Sequence, residues 1–177
     1  MLSKRVKDVL NAQINAEIWS AHFYLSMSLY FGGEGYRGFS RWMKKQYKED
    51  MMHAMQMMDY MIEQGDRVIL QDITGIPTVF EDVVTTFEQA LVHLVRITDA
   101  IDTLADVVEG ENDKATRIFL DKYILGQVLA EARMNQILTQ LKRMNQEIGV
   151  YMLDKELYEV CEIKGQRKAP LYGGLKG

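Results

Sequence analysis

Four stretches of about thirty residues each carry residues of core type in alternating steps of three and four, and little else in the chain competes with them. The first seam reads Leu10, Ile14, Glu17, Ala21, Tyr24, Ser28. The second reads Phe39, Met43, Gln46, Asp50, His53, Met57, Tyr60. The third is Phe80, Val84, Phe87, Leu91, Leu94, Thr98, Ile101, Ala105, and the fourth is Leu120, Tyr123, Gln127, Ala130, Met134, Ile137, Leu141. A helix with one such stripe must bury it against another, so four of them predict an all-α four-helix bundle.

The breakers between the stretches set the topology. Residues 32–38 (GGEGYRG) and 110–113 (GEND) are short, which makes the first and second helices antiparallel neighbours, and likewise the third and fourth. The connection over residues 65–79 (GDRVILQDITGIPTV) is long. Extended, it covers about 50 Å, enough to run the length of a helix of about 45 Å, so the second and third helices can point the same way. Ser3 is placed to cap the first helix, Thr78 with Glu81 to form a capping box for the third, and Asn112 or Asp113 to cap the fourth. A shorter amphipathic segment at 150–160 predicts a fifth helix. The bundle with that helix is expected over residues 1–161 and a flexible polar tail over 162–177.

Composition adds exclusions. With two prolines and helix formers throughout, sheet is not expected. The net charge of −4 comes with scattered Lys and Arg, which argues against nucleic acid and against a membrane surface. No apolar run reaches spanning length, the charged N-terminus is unlike a signal peptide, and the single Cys161 suits a reducing compartment; a cytoplasmic protein is expected.

The exceptions to the apolar seams carry the chemistry. Glu17, Asp50, His53 and Gln127 occupy core positions near the midpoints of their helices, where an up-down bundle brings four side chains to one level. Asp50 and His53 are three apart and share a helix face. A buried carboxylate without a partner neutralises or finds one. Two arrangements meet that demand: a divalent ion of iron, manganese or zinc type held by carboxylate and imidazole, or a hydrogen-bonded network joining Glu17, His53 and Gln127 through water.

The stretches LNAQINAEIWSAHFYLSMSLYF, GYRGFSRWMKKQ, EDMMHAMQMMDYM and MLDKEL resemble bacterial non-haem ferritins, from the first helix through the fifth. Ferritin-like folds are the standing example of a bundle with one long crossover, so the topology above and this resemblance are not independent. The resemblance implies a shell of twenty-four subunits, an iron store inside it and an iron-oxidising dinuclear centre in each bundle. By resemblance, Glu17 and His53 match ligands of the first iron. Asp50 stands where a bridging glutamate is expected, Gln127 beside the second iron, and Tyr24 as the nearby tyrosine. Leu94 occupies the position of a glutamate that binds the second iron, and Gly126, Leu129 and Ala130 occupy positions that are usually acidic. Two ferrous ions bring four positive charges, whereas Glu17 and Asp50 supply two negative ones. A depleted centre with at most one tight metal is therefore expected.

Weaker signals are read as follows. Glu49 and Glu131 flank the seams, as surface charges or as replacements for lost ligands; His22 and His93 are expected at the surface or an interface. Methionines 51, 52, 55, 57, 58 and 61 read as adaptable packing, and no haem is expected. Trp19, Trp42 and Tyr30 lie off the seams and suggest subunit contacts, as does the fifth helix. PLYGGLKG at the end is a docking peptide or plain tail. Three functions follow: an iron-storing cage with little oxidase activity of its own, alone or co-assembled with a catalytic ferritin subunit; a true ferroxidase with a rearranged centre; or a structural cage without iron.

Overall fold

The structure is a computed structural model and describes residues 2–144 and 147–166, with side chains described through 161. Five helices follow in order: α1 (Lys4–Gly33), α2 (Arg37–Glu63), α3 (Val83–Gly110), α4 (Lys114–Arg143) and α5 (Glu147–Gln166). Phe31 packs on Phe87 at one end of α1, with ring centroids 5.7 Å apart, and Arg5 pairs with Glu111 at the other, at 3.1 Å. α3 is thus antiparallel to α1 and parallel to α2, as the long crossover requires.

The helix ends follow from local chemistry. Ser3 caps α1 by accepting from the Val6 amide at 3.2 Å. α1 and α2 both stop at a glycine with positive φ, Gly35 at 86° and Gly65 at 80°, where the next amides turn back onto the last carbonyls. α3 ends the same way on Asn112, at φ 55°, so Asn112 closes α3 and Asp113 alone caps α4, accepting from the Thr116 amide. The capping box of α3 is not Thr78 with Glu81. Asp82 accepts from Thr85 N at 2.8 Å and Thr85 Oγ1 takes the Asp82 amide. The reason is upstream: Ser26 Oγ donates to the Pro77 carbonyl at 2.6 Å and keeps the chain on the crossover past Thr78.

Residues 66–82 carry no helix or strand and lie along α1. Asn11 and Asn15 take the backbone of Ile69 and Gln71, and Trp19 Nε1 donates to Thr74 O at 2.8 Å. Such side-chain bonds replace the ladder that an extended chain otherwise lacks. Trp42 is core, and Tyr30 packs on Phe80. Trp19 holds the crossover, so each of these three aromatics packs within its own chain, and half-buried Trp19 and Tyr30 keep surface for contacts between copies. Met57 and Met61 likewise fill the core, while Met52 and Met55 are exposed.

The α1 seam is buried throughout. The α3 seam is displaced: Val84, Leu91 and Thr98 are only half-buried, while Val83, Thr86, Ala90, His93 and Ile97 face inward. Phe80 is buried from the crossover, not from the helix.

α5 begins and ends beyond the expected 150–160 and runs past the expected boundary at 161; residues 167–177, with PLYGGLKG, lie outside the described residues. It also packs within its own chain. Leu153 joins the core, and buried Asp154 accepts from the Phe39 amide in the first turn of α2 at 2.8 Å. Gly38 permits this approach, since a Cβ there would sit 1.6 Å from the Asp154 carbonyl oxygen. Arg41 lies 3.9 Å from the centroid of the Tyr158 ring.

Two apolar clusters fill the bundle. Phe23, Phe31, Phe39 and Phe87 anchor one, at the α5 end, and Leu10, Ile14, Met61 and Tyr123 anchor the other. The polar layer lies between them.

Candidate metal centre

Glu17 from α1 and Asp50 and His53 from α2 place one oxygen or nitrogen each within 4.8 Å of one another. These are three of the four seam residues expected at one level; the fourth, Gln127, lines the cavity beside them. Glu17 is fully buried; its Oε1 accepts from Gln13 Nε2 at 2.8 Å, one helical turn back. Its Oε2 lies 3.6 Å from His53 Nδ1, and neither of these two buried atoms has a hydrogen-bond partner. Native interiors rarely leave such atoms unsatisfied. A divalent ion between them would satisfy both, so the residues present fit a metal ion. The Tyr24 hydroxyl is a third buried atom without a partner.

Electrostatics agree. Burial, then the charge of Glu17, holds the Asp50 carboxyl well above the usual carboxylate range, against the hydrogen bond from Ser20 that pulls it down. Burial, then Asp50, Glu17 and Glu49, pushes the Tyr24 phenol well up, so it stays neutral. Burial and Glu17 also raise Tyr123, whose ring stands edge-on to His53 with centroids 5.2 Å apart. Negative charge crowds a partly buried layer, which is the condition a cation relieves.

Beside the trio lies a cavity of about 190 Å³. Asp50, His53, Tyr24 and Glu49 line it on one side; Leu94, Gly126, Gln127, Leu129 and Ala130 line it on the other. All four positions where acids are missing therefore face the same space. Gln127 is buried there, its side-chain amide 3.2 Å from Thr98 Oγ1. Glu131 does not enter the trio: its carboxylate accepts from the same Thr98 hydroxyl at 2.5 Å. Glu49 pairs with Lys45, one turn away on α2, at 3.0 Å.

His93 is not a surface residue. It is buried, its Nε2 is 2.8 Å from Ser20 Oγ, and Ser20 Oγ donates to Asp50 Oδ2 at 2.6 Å. Burial, then Arg96, lowers its pKa to about 4, so the ring is neutral. His22 is half-buried, with Nδ1 2.8 Å from the Ile18 carbonyl and the ring edge-on to Tyr47. The signal for Ser20 was its place three residues after Glu17; for His93 there was none, because the α3 stripe is displaced from its apparent seam.

Comparison with known proteins gives the family and the fold. The family described as ferritin-like domain matches residues 7–144. A bacterial non-heme ferritin of Bacteroides fragilis is 38% identical over 157 residues, covering 89% of this chain and 98% of that one. One from Staphylococcus saprophyticus is 30% identical over 158 residues, covering 89% and 95%. Among solved structures, an open pore ferritin from the hyperthermophilic archaeon Archaeoglobus fulgidus superposes with a TM-score of 0.86 at 39% identity, covering 89% of this chain and 98% of that one. A humanized archaeal ferritin gives 0.87 at 40% identity, covering 89% and 96%.

Proposed function

Since the chain belongs to the ferritin-like family, we propose that it is a cage subunit that stores iron, holds one divalent ion inside each bundle, and oxidises ferrous iron weakly or not at all unaided. The observation that carries this reading is the pair of unpartnered atoms, Glu17 Oε2 and His53 Nδ1, beside a cavity whose far wall is Leu94, Leu129 and Ala130. One side of the layer has ligands for an ion; the other offers Gln127 and Arg133 as its polar groups, neither of them a carboxylate.

Roles follow residue by residue. Glu17 and Asp50 supply the charge that draws a cation into the layer, and His53 supplies a nitrogen. All three must be deprotonated to bind, so protons compete with the ion. Gln13 orients Glu17, and Tyr24 offers a neutral hydroxyl at the cavity wall. Bound iron supplies the redox chemistry, and among the described residues no second carboxylate pair gathers beside the trio to hold a partner ion.

The assembled form is a shell of twenty-four copies, about half a megadalton from chains of 20.5 kDa. Exposed apolar residues on α1 and the crossover, Leu29, Ile69, Leu70 and Val79, supply surface for contacts between copies. No helix among the described residues is long and apolar enough to cross a membrane. A cytoplasmic home, absence of haem and of nucleic-acid partners, and co-assembly with a catalytic ferritin subunit belong to the same proposal.

A second reading keeps full ferroxidase activity through Glu49, which lines the cavity next to Asp50. Oxygen uptake on adding ferrous iron separates the two. Uptake near the rate of ferrous iron in buffer, with iron still retained in the shell, supports storage without catalysis. Rapid saturating uptake that Glu49→Gln abolishes supports the second reading.

A further inference from the structure

One oxygen of Asp50 is already committed. Its Oδ2 accepts a 2.6 Å hydrogen bond from Ser20 Oγ, and Ser20 Oγ lies 2.8 Å from His93 Nε2. A serine hydroxyl has a single proton. With that proton directed at Asp50, the remaining bond to Ser20 must come from His93, so the ring carries its hydrogen on Nε2. The chain of donation runs His93 to Ser20 to Asp50 and ties α3 to α1 and α1 to α2.

Nothing in this chain is free to swing. Ser20 is 1% exposed and His93 9%. The imidazole is wedged among Trp19, Phe23 and Tyr24, with ring centroids at 5.2, 5.1 and 6.0 Å. Because the ring is neutral, it donates to Ser20 without bringing a positive charge that would repel a metal ion.

We propose that Ser20 and His93 form a latch that makes Asp50 a one-oxygen ligand, and are thereby positioning residues of the metal centre. A carboxylate that chelates one ion, or bridges two with one oxygen on each, spends both oxygens on metal. Here Oδ2 is spent on a short hydrogen bond to a buried hydroxyl, and Oδ1 is left for the ion beside Glu17 and His53. Partners of this kind orient a ligand as much as the metal does. The inference rests on the one-ion reading of the site and adds to it how Asp50 must bind.

Cobalt(II) tests it on the assembled full-length protein, because its visible spectrum reports coordination number without any turnover. The parent should bind one Co²⁺ per chain within the bundle. Ser20→Ala and His93→Leu should each weaken that affinity by roughly 10–100-fold and alter the spectrum as Asp50 turns. Ser20→Thr, which keeps the hydroxyl, and His93→Gln, which keeps a donor, should stay close to the parent in both. The His93 pair keeps the question answerable if a Ser20 variant fails to assemble. Parent-like affinity and spectrum in both Ser20→Ala and His93→Leu would overturn the latch while leaving the one-ion site standing. A parent that binds no Co²⁺ in the bundle would overturn the one-ion reading, and the latch with it.

Discussion

Glu17 Oε2 and His53 Nδ1 face each other at 3.6 Å across α1 and α2, buried and without hydrogen-bond partners. That distance is too long for a hydrogen bond and short enough for one ion to serve both. Glu17→Gln should therefore have two opposite effects. Its amide can donate to His53 Nδ1, so the metal-free chain should gain about 1–3 kcal/mol against denaturant. The stabilisation that the parent gains from saturating Zn²⁺ should vanish, because only the folded state binds. Denaturation in chelator and in Zn²⁺ measures both. Loss of stability in chelator would mean that Glu17 already has its partner.

His93 gives the protein an acid-sensitive window. Its folded pKa, about 4, lies below the ordinary 6.5, so the unfolded chain binds the extra proton between those values. The contribution is fully present above pH 6.5 and is lost as pH falls towards 4. Its ceiling is about 3 kcal/mol. His93→Gln should show a shallower loss of stability than the parent between pH 6.5 and 4, followed by thermal unfolding in a pH series. Parallel curves would remove His93 as the cause.

Leu94, Ala130 and Asp50 border one cavity, so ligands can be put back without rebuilding the fold. Leu94→Glu and Ala130→Glu add carboxylates, and Asp50→Glu adds a methylene that gives that carboxylate the reach to bridge. At buried Leu94 the new carboxylate alone has no partner and should destabilise the metal-free chain by about 1–3 kcal/mol, and at half-buried Ala130 by less. The triple variant should show rapid, saturable ferrous oxidation near two irons per chain where the parent is slow. Stopped-flow absorbance reads this directly, and a triple variant as slow as the parent would show that missing ligands are not the defect.

Asp154 should matter more than its place on a short terminal helix suggests. It caps α2 from a distance of 115 residues along the chain. Asp154→Ala should cost about 1–2 kcal/mol, in the range of helix caps, and Asp154→Asn much less. Gly38→Ala should displace α5 altogether, since its Cβ would meet the Asp154 backbone. Protease sensitivity of α5, compared among the three variants, checks the order. Equal sensitivity would contradict the cap.

The helices and the trio were legible because their information is local or periodic. Alternating steps of three and four expose a seam, and Asp50 with His53 is a three-residue spacing on one helix. The α3 seam misled because Phe80 and Val84 look continuous with the stripe behind them, although Ser26 holds the chain extended there. Asp82 and Thr85 carry the real cap at the same spacing. Ser20 and His93 were illegible as a pair: their bond joins different helices, and no spacing within either one announces it. The same holds for Asp154, whose partner is a backbone amide at the other end of the sequence.

An anaerobic equilibrium titration of the assembled parent with ferrous iron tests the central claim most directly. One tight iron per chain is expected, lost on His53→Ala and on Glu17→Gln, with further iron binding only weakly. Two tight irons per chain in the parent would contradict the account, because the wall formed by Leu94, Leu129 and Ala130 would then have to be holding an ion.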